Sequence, residues 1–183
     1  MHTLRTNDLI ITIAREPSYT PGSVDNVHSF DKEHRLTDGE NGFVATAVRA
    51  EGPDGSAHSC IILTAFDSVI CDRCALIHGD VLFLGADAYL CSISLPALDL
   101  RWKTQVYLVS CYDVYYSAKH DCLITHGELE IARVGLSGNK VWSFPGNDIF
   151  SGAFMLSDEI IEVVDSEGQR FAIEIVSGKR EEQ

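Results

Sequence analysis

No stretch of this chain approaches the roughly 18 consecutive apolar residues that a membrane-spanning helix requires, so no such helix is expected. The nearest thing to a signal core, Leu9-Ile-Ile-Thr-Ile-Ala14, is short and runs straight into Arg15-Glu16-Pro17, which makes a cytoplasmic location the expectation. Positive charge is scarce: 14 Lys and Arg stand against 27 Asp and Glu, a formal net charge of −13. The only adjacent bases, Lys179-Arg180, are followed at once by Glu181-Glu182. A surface of that sign repels phosphate backbones and argues against nucleic acid as a partner, while a basic protein is electrostatically admissible. Catalytic signatures are missing too. There is no Gly-x-Ser-x-Gly elbow, no Gly-x-Gly-x-x-Gly and no Gly-x-x-x-x-Gly-Lys phosphate loop, so the sequence offers no nucleophile elbow and no nucleotide cradle, and no catalytic residue is assigned.

What is present reads as strand. The 183 residues, 45% of them hydrophobic, suit one domain with a sizeable core. No long segment holds a helical period; only Asp67 to Leu76 admits a short helix. Asp8 to Ala14 is rich in β-branched residues and predicts an N-terminal strand. Between Glu16 and Gly42 turn formers dominate, and an edge strand is expected near Val24 to Phe30. Phe43 to Ala50 and His58 to Thr64 flank the Pro53-Asp54-Gly55 turn and predict an antiparallel hairpin. Ser68 to His78 predicts a further strand or strand pair.

From Asp80 onward three stretches are variants of one unit, beginning at Asp80, Asp121 and Asp158. The first runs Asp80-Val-Leu-Phe-Leu, Ala88-Tyr-Leu-Cys-Ser-Ile-Ser, Leu98-Asp-Leu-Arg-Trp102. The second runs Asp121-Cys-Leu-Ile-Thr, Leu129-Glu-Ile-Ala-Arg-Val, Ser137-Gly-Asn-Lys-Val-Trp142. The third runs Asp158-Glu-Ile-Ile-Glu-Val-Val, Arg170-Phe-Ala-Ile-Glu-Ile-Val, Ser177-Gly-Lys179. Each predicts strand, turn, strand, turn, strand, with linking strands at Gln105 to Ser110, Val114 to Ser117 and Ile149 to Leu156. A strand, a Gly-containing turn and then a Trp resembles the repeat of quinoprotein-like β-propellers. That resemblance implies blade-like antiparallel units over Asp80 to Lys179. Propellers carry about four to eight blades of about 40 to 45 residues in comparable families, so this chain has room for four at most. The expected fold is a single all-β domain over residues 1–183: N-terminal strands and a hairpin over 1–79, then three blade-like units over 80–183. It forms an open or incomplete propeller, or an irregular β-sandwich.

Candidate chemistry is sparse. Cys71-Asp-Arg-Cys74, with His78 four residues on and His58 and Cys60 upstream, has the ligand types and tolerable spacing of a tetrahedral zinc site. Two structural thiols explain the same residues, and Cys60, Cys91 and others sit in apolar runs where a reduced thiol acts as a small hydrophobe. No βαβ pattern surrounds the pair, which removes a thioredoxin-like reading. His120, Cys122 and His126 form a second cluster at even separations along a strand. Trp102 and Trp142 are expected in the core, whereas Tyr112, Tyr115 and Tyr116 are candidate anchors for a protein partner. The leading expectation is a non-enzymatic protein-binding scaffold, of accessory or immunity type, without a cofactor and facing a basic protein; a homodimer closing an exposed edge is admissible. The alternative is a zinc-dependent or zinc-stabilised protein using Cys71, Cys74 and His78.

Overall fold

The computed structural model describes residues 1–37, 43–67, 70–107 and 111–181, and among them it has sixteen β-strands and no helix. β1 (His2–Arg5), β2 (Ile10–Arg15), β3 (Lys32–Arg35), β4 (Val44–Glu51) and β5 (Ala57–Thr64) form sheet A in the order β1-β2-β4-β5-β3. Sheet B is β6 (Ala75–His78), β7 (Val81–Ala86), β8 (Tyr89–Ser94) and β9 (Leu100–Gln105). Sheet C is β10 (Cys111–Ser117), β11 (Cys122–Gly127), β12 (Glu130–Gly135) and β13 (Lys140–Pro145). Sheet D holds β14 (Phe154–Leu156), β15 (Ile160–Val164) and β16 (Arg170–Glu174), with a single bridge from Ile173 to Arg180 where a fourth strand would pair. Sheets B, C and D are antiparallel meanders; the one parallel pairing among the described strands is β3 with β5.

All-β, blade-like units are thus what the chain builds, and the repeat frame is sharper than the sequence suggested. Asp80 and Asp121 stand immediately before the second strand of their sheets, and Asp158 two residues before β15. The stretches read as linkers supply the first strands, β10 and β14, so sheet C is a four-strand unit, and sheet D repeats it with three strands and a bridge in place of the fourth. Gln105 only closes β9, and residues 108–110 lie outside the described part. Two other expectations need correction. The edge strand in the 16–42 excursion is β3, not Val24 to Phe30: Val24 is 97% and Val27 77% exposed, and an apolar pair without a sheet partner gains nothing from extension. The described part of Asp67 to Leu76 is non-helical and leads into β6.

Alternate side chains of one strand face opposite sides of a sheet, and the sheets stack so that both sides of B and C are used. On β7, Leu82, Leu84 and Ala86 join the core shared with Ile11, Ile13, Val48, Cys60 and Ile62 of sheet A. Val81 and Phe83 of the same strand pack toward sheet C with Val114, Leu123 and Val134. A third core holds Ile124 and Ile131 against Ile161, Val163, Phe171 and Ile173. Full burial of each such side chain contributes about 1.5–3 kcal/mol. The outer face of sheet A is covered by side chains of the segments beside it: Tyr19, Phe30 and Phe43 pack on Ala45, Ala47, Ile61 and Leu63.

A polar joint recurs between sheets. The Trp102 indole N–H of β9 donates to Leu136 O at 3.0 Å, and Thr104 Oγ1 donates to Gly138 O at 2.5 Å. One sheet on, the Trp142 indole of β13 donates to Ile175 O at 2.9 Å. Each ring lies on the glycine of the next sheet's turn; a Cβ at Gly138 would stand 2.7 Å from Trp102, and one at Gly178 2.6 Å from Trp142. Both glycines have positive φ, 91° and 70°. Sheet A lacks a tryptophan. Its β3 reaches the matching turn of sheet B instead, with Lys32 Nζ 2.6 Å from Ala97 O and 2.5 Å from Asp99 Oδ1, and His34 Nε2 donating to Leu98 O at 2.8 Å.

Candidate functional site at Asp113

The side chains with chemistry to offer converge on Asp113. β10 shifts register between Cys111 and Asp113 against β11, a bulge that re-aims the side chains around it. The 71–74 segment before β6 is held to this point by backbone bonds, Val114 N to Arg73 O and Gly85 N to Cys74 O, both 2.8 Å. The Tyr115 hydroxyl donates to Asp113 Oδ2 at 2.8 Å, Cys71 Sγ lies 3.5 Å from Oδ1, and His126 Nδ1 of β11 lies 3.6 Å from Oδ2. Arg73 Nη1 donates to the Tyr115 oxygen at 3.2 Å, its guanidinium 5.7 Å from the ring centroid. Sheet D adds Phe154, stacked on Tyr115 at 4.5 Å and on His126 at 4.8 Å between centroids. His126 Nε2 faces Phe150 O at 3.2 Å and donates to it. Three sheets therefore meet at one carboxylate.

The electrostatics follow from this geometry. Burial raises the Asp113 carboxyl, but the facing His126 imidazole and the hydrogen bond from Tyr115 outweigh it and hold the group below its ordinary range. Tyr115 is pushed up to about 12, first by burial and then by its bond to Asp113. Burial raises the Cys71 thiol, with the Asp113 carboxylate adding to it, and pushes Cys74 up to about 11. Cys111, fully buried beside them, is raised further. A nucleophilic thiolate needs the opposite shift. What this arrangement does chemically is keep an ionised carboxylate half-buried beside a hydroxyl, a thiol and an imidazole.

The sequence-derived candidates scatter around this hub. Cys71 and Cys74 border it, but His78 turns its ring onto Tyr116, 4.2 Å between centroids. Cys60 and Cys74 lie in the core between sheets A and B, and His58 sits toward the start of β5. His120 faces Asp158 O at 2.7 Å and His126 joins the hub, so the two stand near opposite ends of β11, on the order of 20 Å apart at the rise of a strand. Cys122 is buried between sheets C and D. Among the described residues no group of three or more His, Cys, Asp and Glu side chains is arranged to hold a metal ion. Tyr115 belongs to the hub; Tyr116 is half-exposed, donating to Asp121 Oδ1 at 2.8 Å. The side chain of Tyr112 lies outside the described residues. Asp113 and Arg73 were missed. They carry no spacing signal, because the hub is assembled by strand register across 42 residues between Cys71 and Asp113.

No family model matches the chain, and no curated protein matches it. Solved structures do. A chain from the crystal structure of the mitotic checkpoint complex aligns at 10% identity and a TM-score of 0.56, over 75% of this chain and 46% of that one. The computationally designed Ika8 protein aligns at 10% identity and a TM-score of 0.57, over 99% of this chain and 60% of its own. The likeness is one of fold alone. This chain spans about half the length of the solved chains it matches. With its stacked meanders it is propeller-like, and nothing in the matches singles out the quinoprotein type.

A metal at Cys71-Asp-Arg-Cys74 has a direct check. Protein purified without added metal is expected to contain far less than one zinc per chain, and Cys71→Ser to leave that content unchanged. A stoichiometric zinc lost in Cys71→Ser would establish the metal reading.

Proposed function

We propose that the chain is a non-catalytic protein-binding scaffold whose acidic surface receives a basic partner, in the manner of an accessory or immunity-type protein. The observation that supports this is the distribution of charge. Exposed acids occur on or beside every sheet, among them Glu33 in β3 and Asp80, Asp121 and Glu159 in the turns that lead into β7, β11 and β15, and the total is −13. Such a field raises the encounter rate with a cationic surface and discourages other partners. Tyr116 and His78, in ring contact beside Asp121, give the field an aromatic anchor of the kind that a partner's Arg or Lys engages. The shifts of the six thiols, all upward, favour a non-catalytic reading. Cys60, Cys74, Cys91, Cys111 and Cys122 are free thiols, in keeping with a reducing compartment such as the cytoplasm.

Affinity capture with this chain from its native cell at moderate salt is expected to recover a basic protein whose retention falls steadily as salt is raised, since contacts between exposed charges are screened. Recovery of no partner, or of one held equally well at all salt concentrations, would remove the electrostatic basis of the proposal.

A further inference from the structure

Sheet D differs from the other three in what lies on its outer face. Sheets B and C are sandwiched, and sheet A is covered by Tyr19, Phe30 and Phe43. On sheet D, Ile161, Val163, Phe171 and Ile173 face sheet C, and the intervening residues face outward. Met155 is 57% exposed there, beside Val164 and Ala172, around an open depression of about 300 Å³. No buried apolar cluster joins this face to another sheet among the described residues.

The charges on this face point to its occupant. Glu162 and Arg170 are the only ionisable groups lining the depression, one of each sign. Glu162 pairs in register with Ala172, which puts Arg170 on the diagonal position of the same face, roughly 7–8 Å away, and the two form no ion pair among the described residues. We infer that this face docks a second copy of the chain, face to face about a two-fold axis lying between Glu162 and Arg170. That operation sets Glu162 of each copy against Arg170 of the other and brings Val164 and Ala172 of both copies together at the centre, with Met155 toward the rim. A two-fold interface has to be self-complementary, and a patch with one acid and one base meets that condition. The rest of the surface, at −13 overall, opposes contact between copies, whereas this patch is neutral. For the same reason it is a poor seat for the basic partner proposed above, so the two readings stand independently. Three short strands offer less than the roughly 800 Å² per partner of a standard interface, and the dimer is therefore a weak one.

Sedimentation of the intact chain across a wide concentration range tests this. The expected result is a mass rising with concentration from 20.1 kDa toward twice that value. Ala172→Glu, Glu162→Arg and Arg170→Glu are each expected to raise the dissociation constant at least about tenfold, about 1.4 kcal/mol, with unchanged far-ultraviolet circular dichroism. The double variant Glu162→Arg/Arg170→Glu restores the original constant, because the exchanged charges again meet opposites. A monomer at the highest soluble concentration overturns the inference, as does a dimer that none of the variants weakens. Failure of the double exchange to restore association overturns the two-fold pairing. A monomer that instead captures a different protein through Met155 assigns the face to that protein and overturns self-association.

Discussion

Trp142→Ala is expected to destabilise the protein by about 3 kcal/mol, the low end for removing a large aromatic because the ring is only half-buried. The substitution removes three things at once: the ring's apolar burial between β13 and the turn of sheet D, the indole bond to Ile175 O at 2.9 Å, and the filler over Gly178. Sheet D has one sandwiching neighbour, sheet C, so it should loosen first, and amide exchange in β15 and β16 is expected to quicken more than in β7 or β8. Trp142→Phe keeps most of the packing and loses the hydrogen bond, for about 1 kcal/mol. The glycine side of the joint supplies an internal control. Gly178 and Gly168 both have positive φ, 70° and 80°, but a Cβ at Gly168 meets nothing within 4 Å whereas one at Gly178 meets the Trp142 ring at 2.6 Å. Gly168→Ala should cost only the left-handed backbone penalty of about 1–2 kcal/mol. Gly178→Ala should cost clearly more, and the excess should vanish when Trp142 is already Ala. Equal losses at the two glycines, measured by urea denaturation, would show that the ring does not seat there.

How much of this was legible in the sequence depends on where each strand hides its side chains. The units stood out because each opens on an Asp and the first two close on a Trp, and the joint explains the second feature: Trp102 and Trp142 each lie on the next turn's glycine. The alternation of β15 and β16, with Glu162, Arg170 and Glu174 between apolar residues, marks a sheet buried on one side. In β4 the alternation is soft because Ala45 and Ala47 are covered by Tyr19, Phe30 and Phe43 while Val48 and Ala50 face sheet B. β3, Lys-Glu-His-Arg, has no apolar residue; parallel backbone pairing with β5 and the reach of Lys32 and His34 to sheet B hold it, and neither leaves a periodic trace. The hub at Asp113 was hidden for a related reason. Its members come from β10, β11, β14 and the 71–74 segment, and what joins them is the register of three sheets.

Removing the Asp113 carboxylate is expected to have the second large effect, one that pH can dissect. Asp113→Ala leaves the Tyr115 hydroxyl without its acceptor and removes the anion facing His126 and Cys71, in a site where the Asp113 side chain is 20% and that of His126 8% exposed. Loss of a partner to such groups costs about 2–3 kcal/mol near neutral pH. Because the folded carboxyl lies below its unfolded value of about 3.9, its contribution is fully present above that value and disappears as pH falls through the lower folded value. The stability gap between the parent protein and Asp113→Asn should therefore be widest above about pH 5 and narrow steadily toward strongly acid solution. Asp80, Asp99 and Glu159 are also held low, by Arg101, Lys32 and Lys119 respectively, but those pairs are present in both proteins and cancel in the difference. Tyr115→Phe separates the hydrogen bond from the stack: it keeps the ring on Phe154 and should cost about 1 kcal/mol while letting the Asp113 carboxyl rise toward its ordinary value. A gap between parent and Asp113→Asn that stays constant across the acid range would mean that the carboxylate's charge does not hold the three sheets together at this point, and that shape alone does.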